Sequence, residues 1–137
     1  MSVVINSEVT SSYLTLNNDQ MIVSSGGTAY YTSVNENGLL SALNGGTANN
    51  TMVNSGGTVV VDGGTATSTT VNGGGSMIVQ SDIGVATSAT VNEGGVMRVV
   101  SGARASETVV SGNGFLEVSG GTATSTTVRG SYRSAGS

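Results

Sequence analysis

Six times along the chain an alanine is followed five positions later by a valine, and this recurrence constrains the fold more than any other feature. The alanines are Ala29, Ala48, Ala66, Ala86, Ala105 and Ala123; the valines are Val34, Val53, Val71, Val91, Val110 and Val128. Successive alanines are 19, 18, 20, 19 and 18 residues apart, so the repeat is close to nineteen residues. A period in this range is the signature of stacked supersecondary units. Two residues before each valine stands Thr32, Thr51, Thr69, Ala89, Thr108 or Thr126. A glycine pair or its remnant precedes each alanine, as at Gly45–Gly46 and Gly63–Gly64, and glycines recur after most of the valines, as at Gly56–Gly57 and Gly94–Gly95.

Each unit reads as strand, glycine turn, strand, glycine turn. Glycine suits such reversals because they often need a positive φ that costs other residues free energy. Thr and Val two apart share one face of the first strand. Six and eight residues beyond each valine come Leu40/Ala42, Val59/Val61, Met77/Val79, Met97/Val99 and Leu116/Val118, a second inward row. Alternation at period two is the half-buried strand pattern, and no segment has a helical period. One unit cannot bury its own apolar face, but a stack of units hydrogen-bonded at about 4.8 Å can. The sequence therefore predicts an all-β parallel β-helix (β-solenoid) of about six rungs. Residues 1–25 read as a degenerate N-terminal rung or cap, residues 26–128 as the solenoid repeats, and residues 129–137 as a disordered tail without a strand pattern. Atypical terminal repeats are expected where they cover an open sheet edge.

Composition excludes whole classes of chemistry. The chain has 22 glycines, only 9% charged residues, and no Pro, Cys, His or Trp; lysine is absent as well. Without Cys there is no disulfide framework and no thiolate. Without His there is no imidazole base, so a Ser–His–Asp triad is impossible. Without Lys there is no Schiff-base or phosphate-loop lysine. The net charge of −4 argues against nucleic acid, which demands clustered basic residues. Met1–Thr10 lacks the basic start and apolar run of a secretory signal. No stretch reaches the roughly 20 apolar residues of a membrane span. The chain is therefore read as a non-enzyme, with no catalytic residue, cofactor or metal site and no membrane insertion.

The runs GGTANNTMVNSGG (45–57), GGTATSTTVNGGG (63–75) and VATSATVNEGG (85–95) resemble the AIDA-type passenger repeats of autotransporter adhesins, over roughly residues 20–128. The resemblance implies a right-handed parallel β-helix displayed at the bacterial cell surface or secreted, with adhesion or self-association as its role. It also implies that repeat Ser/Thr residues are possible heptose acceptors. Neither a signal peptide nor a membrane β-barrel is recognisable within these residues, so the resemblance is to the passenger repeats and not to an intact autotransporter.

Three sets of residues are candidates for function. Leu39, Val60, Ile78, Val96 and Phe115 occupy outward positions of the second strand, where polar residues are expected, and so predict an apolar partner-contact strip. Homo-oligomerisation follows from that strip and from the unpaired β edge expected where the last unit stops after Val128; contact with a host or cell-surface receptor is what the adhesin resemblance implies. Ser68, Thr70, Ser88, Thr90, Ser125 and Thr127 form outward hydroxyl columns, which could accept glycans or bind carbohydrate or ice. Tyr31, Met52, Glu107 and Val109 interrupt those columns and weaken the ice reading. Asn35, Asn54, Asn72 and Asn92 follow the valines and predict a structural amide ladder. Asp62 and Asp82 fall one unit apart, but calcium needs six or more oxygens, and no metal is assigned to them.

Overall fold

The computed structural model describes residues 2–5, 10–129 and 131–135, of which 2–5 and 131–135 are described by backbone alone. Among these residues every regular element is a strand, and no helix is long and apolar enough to cross a membrane. The strands form three parallel sheets of eight, seven and seven strands, each element pairing with its equivalent one repeat away. The chain is a β-solenoid whose six repeats are preceded by a further coil.

Each coil has three sides. In the central coil Thr65–Thr67 lies on the alanine face, Thr70–Val71 on the short face and Ser76–Gln80 on the long face. The expectation of two strands per repeat is corrected here. The stretch from alanine to valine is broken by one left-handed residue per coil, at φ 58° in both Ser68 and Ser88. Such a residue turns the chain and reverses the inward–outward parity. That is why Ala66 and Val71, an odd number of positions apart, both face the core.

Register is held by equivalent residues stacking on one another: Ala66 on Ala86, Val71 on Val91, and Val59 on Met77 on Met97. Within one coil Ala66, Thr69, Val71, Met77 and Val79 are all at most 1% exposed. The core is thus a bundle of continuous columns, each capped above and below by the neighbouring coil. Differences in repeat length are absorbed at the corner between the long and alanine faces. That corner shortens to Gly63–Gly64 after Asp62 and lengthens to 81–84 after Gln80, where Ile83 protrudes.

The two glycines of a corner serve different needs. Gly94 adopts φ 83°, which favours a residue without Cβ. Its neighbour Gly95 has ordinary φ, but a Cβ there would lie 2.6 Å from the Val71 carbonyl oxygen of the coil beneath. The first glycine turns the chain and the second lets adjacent coils approach.

Residues 10–23 build a coil with the same three strands, in which Leu16 stacks on Val34 and Met21 on Leu40. At the other end, the expected disordered tail is corrected for Ser131–Ala135, which pair in parallel with Phe115–Ser119. The edge strand Phe115–Ser119 offers a row of backbone donors and acceptors, and pairing with them requires no apolar pattern in the incoming segment. Positions 130, 136 and 137 of that expectation lie outside the described residues.

Candidate functional site

The three outward faces differ in chemistry because each collects one set of repeat positions. The alanine face presents mainly hydroxyls, with Thr65 and Thr67 in one coil and Thr122 and Thr124 in another. The long face mixes apolar with polar groups. Its outward positions include Leu39, Val60, Ile78, Val96 and Phe115, all of them half-buried rather than open to solvent.

The expectation of a single strip through these five is corrected by the register. Val96 stacks on Phe115, and their column continues through Ser76 and Thr58 to Leu39. Val60 stacks on Ile78 in a parallel column, which continues through Arg98 to Glu117. The two columns are two residues apart along each strand, so they share one face of the sheet. The apolar side chains therefore zigzag between columns. Where small Ser76 lies between them, Ser76, Met77, Ile78, Val96 and Arg98 line a shallow depression of about 180 Å³. This is below the roughly 300–1,000 Å³ of a drug-sized ligand site and suits one inserted side chain. Arg98 pairs with Glu117 at 3.3 Å across adjacent coils. The arginine side chain is 55% exposed, so the pair contributes little stability but keeps the face's charges balanced.

Ser68, Ser88 and Ser125 are the left-handed corner residues between the alanine and short faces, while Thr70, Thr90 and Thr127 begin the next strand. Ser125 and Thr127 are exposed, and the other four are half-buried. The Ser88 hydroxyl donates to a Glu107 carboxylate oxygen at 3.3 Å. Met52 and Val109 belong to the threonine column, and Tyr31 and Glu107 to the serine column, so neither hydroxyl array is flat or continuous.

The asparagines form a ladder. Asn54, Asn72 and Asn92 each donate from Nδ2 to the Oδ1 of the asparagine one coil earlier, at 2.8, 2.9 and 2.9 Å. Chained amides satisfy one another and bind successive coils, a structural role. Asp62 is paired in register with Gln80, leaving Asp82 two residues further on in the lengthened corner. Among the described residues no group of three or more carboxylate, His or Cys side chains is placed to hold a metal ion.

One feature went unnoticed in the sequence. Tyr13 and Tyr31 occupy the left-handed corner position in consecutive coils, and their rings stack with centroids 5.0 Å apart and planes 4° from parallel. The available signal was their eighteen-residue separation, one repeat length, at the position later held by Ser68.

A rod of stacked coils, with a closed core and faces that differ in chemistry, defines a parallel β-solenoid stalk segment. The chain belongs to the AIDA family, described as "Adhesin of bacterial autotransporter system, probable stalk", whose model matches residues 25–75 and 82–131. It is an autotransporter-adhesin type of repeat segment. Among solved structures it is similar to a TibC-catalysed hyper-glycosylated fragment of TibA, with a TM-score of 0.78 and 27% sequence identity. The similarity covers 97% of this chain and 57% of that fragment, so this chain spans little more than half the fragment's length. No curated protein matches the sequence significantly.

Proposed function

We propose that this segment is a non-catalytic, rigid adhesive spacer outside the bacterial cell, and that it associates with a second copy of itself through its long face. The observation that carries the reading is the composition of that face. Leu39, Val60, Ile78, Val96 and Phe115 stand on a sheet with closed register, where neither folding nor solubility calls for apolar side chains. The depression beside Ile78 has room for one apolar side chain from a partner. A second copy supplies the same zigzag of apolar groups, as an isologous interface requires. The net charge of −4 is small for a surface of 6081 Å² and opposes contact weakly. The same face could meet a receptor on another cell.

Sedimentation velocity at high micromolar concentration tests this on wild type and on Ile78→Lys. Wild type should associate, and the lysine should shift the population to monomer by placing a charge in the contact. A wild type that stays monomeric would leave only the spacer role.

A second reading concerns modification. The TibA fragment is hyper-glycosylated, and this chain displays Ser125 and Thr127 openly, with Ser68, Thr70, Ser88 and Thr90 in the same two columns. These hydroxyls suit glycan transfer better than they suit binding ice or sugar, because the interruptions at Tyr31, Met52, Glu107 and Val109 break any flat array. Intact mass after co-expression with a TibC-type transferase should show sugar increments. Unchanged mass would remove this reading.

A further inference from the structure

We infer that the corner carrying Tyr13 and Tyr31 is a binding site for neutral saccharides, separate from the long face and independent of the self-association reading. The corner position between the alanine and short faces is left-handed in every coil, at Tyr13, Tyr31, Asn50, Ser68, Ser88, Glu107 and Ser125. Asparagine tolerates this conformation, whereas a bulky aromatic residue adopts it rarely. Two consecutive tyrosines therefore work against local backbone preference. The core does not require them, since Tyr13 is 76% and Tyr31 50% exposed.

The pair instead builds a solvent-exposed aromatic ledge. Each ring covers one face of the other, leaving both outer faces of the stack free of a further ring among the described residues. Beyond Tyr31 the column steps down to the shorter Asn50. Tyr30 and Met52 flank this step at 38% and 45% exposure, and Asn49 adjoins it on the alanine face. The ledge thus combines aromatic faces with carboxamides that both donate and accept hydrogen bonds.

Charge selects the ligand class. The corner column carries no ionised side chain until Glu107, four coils beyond Tyr31. Among the described residues of this corner column, a phosphate, sulfate or acidic peptide would find no cation beside the tyrosines, and a cationic ligand no carboxylate. A pyranose ring matches what is present. Its C–H face packs on a phenol ring, and its hydroxyls reach the amides of Asn49 and Asn50.

The test uses the whole chain with lactose, cellotetraose, maltotetraose and chitotetraose at millimolar concentration. Binding is read by saturation-transfer NMR and by shifts of the tyrosine ring protons, on wild type, Tyr13→Asn/Tyr31→Asn and Ile78→Lys. At least one oligosaccharide should bind wild type and Ile78→Lys alike, and the double variant should bind it about tenfold or more weakly. The double variant should melt within a few degrees of wild type, because the lost ring stacking is offset by asparagine's tolerance of the left-handed region. The inference is overturned if none of the four sugars binds wild type, or if the double variant binds as tightly. It is also overturned if the double variant loses self-association while wild type binds no sugar, since the tyrosines would then be a contact between copies.

Discussion

Thr69 lies in the central coil with 1% of its surface exposed, and its hydroxyl oxygen has no hydrogen-bond partner among the described residues. It belongs to the inward column of Thr32, Thr51, Thr69, Ala89, Thr108 and Thr126, in which Thr51 and Thr108 are likewise buried and unpartnered. A hydroxyl taken out of water without a partner costs about 1–3 kcal/mol. Valine has the same shape and lacks the oxygen, so Thr69→Val should recover about that amount. For a chain of this size 1 kcal/mol corresponds to about 4 °C in melting temperature, so the midpoint should rise by about 4–12 °C. Thr70→Val is the internal control. The chemical change is identical, but Thr70 is outward and half-buried, and its hydroxyl can keep contact with water. Its effect should stay within about 0.5 kcal/mol. Urea unfolding followed by circular dichroism, with the slope m compared between variants, measures both. If Thr69→Val were no more stable than Thr70→Val, the buried hydroxyl would have a partner and the reasoning would fail.

Two further substitutions probe the corners. Gly95→Ala should destabilise by about 1–3 kcal/mol, because its Cβ would meet the Val71 carbonyl oxygen at 2.6 Å; Gly73→Ala, whose Cβ would come no closer than 3.0 Å to its neighbours, should cost less in the same urea titration. Asn72→Ala removes two ladder hydrogen bonds, one donated to Asn54 and one accepted from Asn92, and should lower stability by about 1–2 kcal/mol. Retained stability in that variant would show that the ladder is incidental.

The repeat was legible in the sequence because parallel stacking in register places equivalent residues directly over one another. A position that is apolar in one unit must be apolar in the next, so Val53, Val71, Val91 and Val110 announced a buried column without any coordinates. The inward pairs Val59/Val61 and Met77/Val79 followed from strand alternation alone and are fully buried. The asparagine ladder followed from the same column logic. Family membership, too, could be anticipated from the repeat motifs.

Only the tertiary structure decided how many faces the coil has. The odd spacing of Ala66 and Val71 held the clue, since one regular strand would send them to opposite sides. The single left-handed residue that resolves the conflict is Ser68, Asn50 or Tyr31, residue types with no common turn signature. The same limit applied to the outward surface. Inward positions are constrained by packing and repeat faithfully, whereas outward ones vary, so Leu39 and Val60 could not be assigned to separate columns until pairing fixed them. The stacked tyrosines were hidden for that reason as well, because the corner that brings Tyr13 over Tyr31 exists only once the coils have closed. Nor did residue type predict the strand at Ser131–Ala135, which pairs through the open backbone edge of the strand beneath it.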